Sequence, residues 1–155
     1  MGSRWPSALA AAVFAVAPLR AQQVKELGLQ VTGIAGDHAA GLIGAYAALR
    51  TSERTRLSAD LGAGTSGRAT VWRGELLAHF LLDPTGQQRA GLYGAGGVAV
   101  AGGAVDQGYL VLTLGLETRP GAGAGWFVEA GVGGGIRLAA GYRRRWFPRP
   151  SFSAR

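Results

Sequence analysis

From Lys25 onward, apolar and small or polar side chains change places at almost every step, the two-residue repeat of a half-buried β-strand. The alternation is plainest near the C-terminus. Trp126, Val128, Ala130 and Val132 alternate with Phe127, Glu129, Gly131 and Gly133. Beyond Gly133-Gly134-Gly135 the pattern resumes, with Ile136, Leu138, Ala140, Tyr142 and Trp146 on one face and Arg137, Ala139, Gly141, Arg143 and Arg145 on the other. One face suits lipid; the other suits water or counter-charges. The two runs read as a hairpin turning at Gly133 to Gly135, and such a hairpin places Trp126 and Trp146 at one level, as an interfacial aromatic girdle requires.

Six further runs precede this hairpin. The first, about Lys25 to Ile34, sets Leu27, Leu29, Val31 and Gly33 against Glu26, Gly28, Gln30 and Thr32, and ends at a Gly36-Asp37-His38 turn. The second, about Ala39 to Arg50, has small apolar residues on both faces, so its phase is open, and Gly41 and Gly44 argue for a strand over a helix. After the polar turn Thr51 to Arg54, Leu57, Ala59, Leu61 and Ala63 alternate with Arg56, Ser58, Asp60 and Gly62, and a loop is expected from Gly64 to Ala69. The fourth run, about Val71 to Leu82, puts Trp72, Gly74, Leu76, Ala78, Phe80 and Leu82 outward and Arg73, Glu75, Leu77, His79 and Leu81 inward. Asp83-Pro84-Thr85-Gly86 follows as a turn. The fifth run, about Arg89 to Val100, is too rich in glycine for its phase to be read. Ala101 to Gln107 is expected as a loop, and the sixth run sets Leu110, Leu112, Leu114 and Leu116 against Tyr109, Val111, Thr113, Gly115 and Glu117.

The tally is about eight strands, most of them ~9–12 residues long, the length a tilted strand needs to cross the hydrocarbon. An even number lets the sheet close. With both ends in the periplasm, the turns at Thr51, Asp83 and Arg119 face the cell and those at Asp37, Gly64, Ala101 and Gly133 face outside. Trp72 then falls on the outer girdle, and Phe80, Trp126 and Trp146 on the inner one.

Composition sharpens this picture. Glycine accounts for 27 of 155 residues, yet it is spread through the alternating runs rather than gathered in a linker. Near the N-terminus, Arg4 precedes an apolar run from Ala8 to Ala17, then Pro18 and small residues near Ala21, the layout of a secretory signal cleaved after Ala21. Without residues 1–21 the chain keeps 14 basic and 9 acidic residues, so its formal charge of +7 is partly the leader's. The chain has no cysteine, which excludes a disulfide framework and a thiolate metal site. Beyond the leader no apolar run reaches the ~18 residues of a membrane-spanning helix, so a membrane-spanning chain must cross with strands. The organisation expected is a signal peptide over 1–21, a barrel over 22–147 and a tail over 148–155.

These residues resemble the small eight-stranded outer-membrane β-barrels of bacteria, of the OmpA/OmpX type. The resemblance rests on the strand end Gly115-Leu116-Glu117, on Trp126-Phe127-Val128-Glu129-Ala130-Gly131, and on Gly141-Tyr142-Arg143-Arg144-Arg145-Trp146-Phe147. It implies an all-β, antiparallel, up-and-down transmembrane barrel in the outer membrane, surrounded by outer-membrane lipids. It also implies recognition by the barrel-assembly machinery through Tyr142, Trp146 and Phe147, and a monomeric state. Two features depart from the family's pattern. Pro148 to Arg155 extend past an aromatic that usually ends the chain, and Arg144 falls on the lipid face, where it must lie near the interface and snorkel.

The inward positions include Arg56, Asp60, Arg73, Glu75, His79, Glu117, Glu129, Arg137, Arg143 and Arg145. In so narrow a barrel they should pair and fill the lumen, leaving no open pore. No catalytic, cofactor-binding or metal-ligating residue is assigned. His38 and His79 are far apart in sequence and make a poor ligand set, and neither sits in a recognisable serine motif. Gly94-Ala95-Gly96-Gly97 lacks the lysine of a phosphate-binding loop, since Lys25 is the sole lysine. Arg143 to Arg145 alternate across a strand with Tyr142 and Trp146, which favours a lumen and rim over a nucleic-acid surface. The expected role is structural or surface-interacting and not enzymatic. A soluble periplasmic, lipocalin-like barrel holding a hydrophobe is the alternative in another class, and a lipid-modifying barrel enzyme using His38 or His79 is a third.

Overall fold

The computed structural model describes residues 24–85, 89–103 and 106–148. The expected signal peptide and most of the expected tail lie outside these residues. Eight antiparallel strands close in sequence order into one barrel: β1 (Lys25–Ala35), β2 (Ala40–Arg50), β3 (Thr55–Ser66), β4 (Ala69–Leu81), β5 (Ala90–Gly103), β6 (Gln107–Thr118), β7 (Ala124–Val132) and β8 (Ile136–Trp146), with β8 paired to β1. Val24, Pro148 and the turns after β2, β4 and β6 therefore gather at one end, called here the termini end, and the other four turns lie at the far end.

The alternation does what its period predicts: Leu112 and Leu114 are exposed on the outer wall, while Val111 and Thr113 between them are buried. The two strands of unreadable phase are fixed by their tyrosines. Tyr46 turns the even positions of β2 inward and Tyr93 the odd positions of β5, each being essentially inaccessible to solvent. Glycine makes room for such rings. Tyr93 is paired across the sheet with Gly115, where a Cβ would stand 2.3 Å from the tyrosine ring. Phe127 likewise covers Gly141, a device that fills the space above a strand glycine.

Several boundaries differ from the expected ones. The connection after β3 is only Gly67-Arg68, because Ser66 and Ala69 still pair and Gly67 takes the left-handed φ of 62° that a tight turn needs. β5 likewise runs on to Gly103 before β6 starts at Gln107. Trp126 and Trp146 do not share a level. The register of the last hairpin sets Trp126 opposite Tyr142, edge-on with ring centroids 5.1 Å apart, while Trp146 lies further along β8, opposite Lys25 of β1. β8 extends past the start of β7, and the leftover residues pair with the opposite neighbour. Trp72, Phe80, Trp126 and Trp146 all point outward, as anticipated.

The seams are unequal. β5 and β6 are paired from Ala90↔Thr118 to Ala101↔Gln107, whereas β6 and β7 are paired only from Leu112↔Val132 to Glu117↔Phe127. The first part of β6, Gln107 to Val111, has β5 on one side and no β7 partner on the other.

Candidate functional site

The interior is the only region where polar chemistry is concentrated on these strands. All ten inward residues anticipated from the pattern are buried there, joined by Glu26 and Arg50. Glu26 shares the polar face of its run, whereas the phase of the Arg50 run is open in the sequence. The two pair with each other across adjacent β1 and β2, and Glu26 also meets Arg56 of β3 and Arg143 and Arg145 of β8.

Near the termini end, four arginines surround two glutamates. Glu117 Oε2 accepts from Arg56 Nη1 at 3.1 Å, from Arg145 Nη2 at 2.8 Å and from Arg143 Nη2. Glu26 accepts from Arg50 Nε at 3.1 Å and from Arg56 Nη1 at 3.5 Å. Arg143 is also caged by rings, its Cζ standing 4.6 Å from the Phe127 centroid and 5.5 Å from that of Tyr46, whose hydroxyl accepts from Arg143 Nη1 at 3.0 Å. The same arginines hold the turns at this end. Arg50 donates to the carbonyls of Pro84 and Pro120, and Arg145 to those of Arg119 and Ala122. Pro120 is fully buried, so its turn stoppers the barrel mouth.

A second network lies toward the far end. Arg137 donates to Glu75 through Nε and Nη2, at 3.1 and 2.8 Å, and to Glu129 through Nη1 at 2.8 Å. Tyr93 donates its hydroxyl to Glu129 at 2.8 Å. Arg73 bridges Glu75 and the carbonyl of Gly133. The networks meet at Tyr93, over whose ring Arg56 Cζ stands at 4.8 Å.

Two cavities adjoin the second network. One of about 20 Å³ is lined by Ile34, Leu42, Val71, Tyr109, Arg73 and the far-end turn residue His38, among others. One of about 10 Å³ lies among Gln30, Thr32, Asp60 and Glu75, and Asp60 Oδ1 has no hydrogen-bond partner. Spaces of this size hold about one water molecule each.

One contact was not legible from the sequence. Ser58 Oγ and His79 Nε2 are 2.8 Å apart, brought together by a β3–β4 register that pairs Arg56 with His79. A serine beside a histidine raises the question of an activated nucleophile. The third partner answers it. His79 Nδ1 lies 3.2 Å from Arg56 Nη2, and a guanidinium only donates, so Nδ1 is the acceptor and Nε2 carries the proton. Nε2–H then donates to Ser58 Oγ, the reverse of the tautomer needed to take a proton from a serine. His38 lies at the far end, away from this pair. Among the described residues no group of three or more His, Cys, Asp or Glu side chains is placed to hold a metal ion.

Of the residues expected to meet the assembly machinery, Tyr142 and Trp146 are exposed on the outer face of β8, and Phe147, just past its end, is exposed too. No protein-family model matches the sequence, and no curated protein matches it.

Proposed function

We propose that this chain is a bacterial outer-membrane protein that spans the bilayer as a closed, solvent-tight barrel and acts as a structural or surface-presenting element, not as an enzyme. One observation carries the reading: the barrel is apolar outside and charged inside. Leucine, valine and isoleucine side chains stand exposed around the wall, among them Leu29, Ile43, Leu61, Leu76, Val98, Leu112 and Leu138. A water-soluble barrel with so large a contiguous apolar surface would associate. A bilayer accepts that surface, and closure leaves no strand edge in the lipid. Among the described residues the interior is packed with arginine–carboxylate networks rather than lined as the apolar chamber a lipocalin-like carrier needs, and the aromatics Trp72 at one end and Phe80, Trp126 and Trp146 at the other suit interfacial positions.

In this reading the termini end faces the periplasm, residues 1–21 are the export signal, outer-membrane lipids surround a monomer, and Tyr142, Trp146 and Phe147 engage the assembly machinery. The tautomer imposed on His79 favours a structural histidine over a catalytic one. Envelope fractionation with gel mobility before and after boiling tests the proposal. Recovery in the outer membrane with a heat-shifted band is the expected result; recovery as a soluble periplasmic protein would overturn it and favour an internal-ligand carrier.

A further inference from the structure

The outer wall carries almost no charge. On all eight strands the outward positions are uncharged except Lys25 on β1 and Arg144 on β8. The register brings these two together: Lys25 is opposite Trp146 and Leu27 opposite Arg144, so the cations are diagonal neighbours with about 7–8 Å between their backbones. Both are exposed, and neither joins an ion pair among the described residues. The outward positions of β1, β2, β7 and β8 hold no carboxylate that could neutralise them. Aromatic rings frame the pair. Arg144 Cζ stands 5.8 Å from the Trp146 ring centroid, and the Trp126–Tyr142 contact lies next along the wall.

Two neighbouring cations paired with no carboxylate among the described residues, set where the apolar wall gives way to the termini end, call for an anion at that depth. Free ions are rare beside hydrocarbon, whereas lipid phosphates line the boundary. Resting on the membrane reading above, we propose that Lys25 and Arg144, with Trp146 beside them, form a binding site on the barrel wall for the phosphate of a phospholipid, selective for one whose headgroup has net negative charge. The lysine supplies a compact charge and the arginine a planar fork for two phosphate oxygens. A headgroup that brings its own ammonium, such as phosphocholine, would set that cation against two others. The acyl chains would lie along Leu27, Leu29, Val31, Leu138 and Ala140, all on the outward faces of β1 and β8.

The test is native mass spectrometry of the full chain, released from micelles holding equal amounts of phosphatidylglycerol and phosphatidylcholine, beside a K25Q/R144Q variant. At about fivefold for each basic side chain near a lipid surface, the wild type should retain phosphatidylglycerol over phosphatidylcholine by roughly twenty- to thirtyfold, and the variant should lose most of that preference. Millimolar inorganic phosphate should leave the preference intact; its abolition would mean a general phosphate site and overturn the lipid assignment. Equal retention of both lipids by the wild type, or an undiminished preference in the variant, would overturn it too. Insertion of both proteins into neutral phosphatidylcholine vesicles, read by the heat-shifted band, is scored separately. Failure of the wild type there would sink the membrane reading, while insertion without lipid preference would sink only the site.

Discussion

Replacing Glu117 by glutamine should be among the most damaging single changes to the lumen. Glu117 is the common acceptor for Arg56, Arg143 and Arg145, and with Glu26 it offsets four arginines in the half of the barrel near the termini. The glutamine is isosteric and still accepts hydrogen bonds, but it leaves four guanidiniums facing one carboxylate. Removing one partner of a buried ion pair costs about 3–5 kcal/mol, because the remaining charge stays desolvated and uncompensated. Glu129→Gln is the internal control. Arg137, its partner, keeps both bonds to Glu75, so the loss there should be about 1–3 kcal/mol. The assay is urea unfolding of the refolded protein in lipid vesicles, followed by tryptophan fluorescence and heat-shifted mobility. Adding Arg145→Gln to the Glu117→Gln variant should recover part of the loss, since it removes one of the stranded cations, and the two changes should be clearly non-additive. A Glu117→Gln cost below about 1 kcal/mol, or one no larger than that of Glu129→Gln, would refute the view that charge balance in this half holds the lumen together.

Leu112→Arg places a charge midway along the outward face of β6; in a bilayer it should cost about 2–4 kcal/mol and lower the folded fraction in vesicles, whereas on a water-facing wall it would be neutral. Gly115→Ala drives a methyl group into the buried Tyr93 ring and should cost about 1–3 kcal/mol in thermal unfolding, while Gly41→Ala, with nothing within 4 Å of the new atom, should change stability by less than about 0.5 kcal/mol. Arg50→Gln removes the donors to the carbonyls of Pro84 and Pro120, so protease cleavage near Arg119 should become faster than in the parent protein.

The barrel was legible because a two-residue period repeated through eight runs leaves few alternatives once helices are excluded by length. The lumen was legible for the same reason, since arginines and carboxylates that share a parity must share a face. Phase failed where parity carried no contrast. On β2 and β5 alanine and glycine occupy both faces, and the inward side is chosen by single tyrosines whose partners, Arg143 and Glu129, belong to other strands. The Ser58–His79 contact was hidden because it depends on register between neighbouring strands, which alternation does not encode. Register also explains the misplaced tryptophans. The Gly133–Gly135 turn fixes Trp126 opposite Tyr142, and only the unequal lengths of β7 and β8 decide where Trp146 falls.

The unequal seams set the barrel's first and last strands apart from its mechanical ends. Strands β1 and β8, the first and last of the barrel, are zipped from Lys25↔Trp146 to Ala35↔Ile136, while the short junction lies between β6 and β7, in the middle of the strand order. A cask fails at its narrowest joint, wherever its maker began counting staves. Thermal gaping should therefore start between Leu110 and the top of β7 and leave a curled ribbon that runs from β7 through the closed β8–β1 joint to β6. A permuted barrel that begins at β7 and ends at β6 would break only the weakest joint of the wall, and the β8–β1 ends, once linked, would become an ordinary turn.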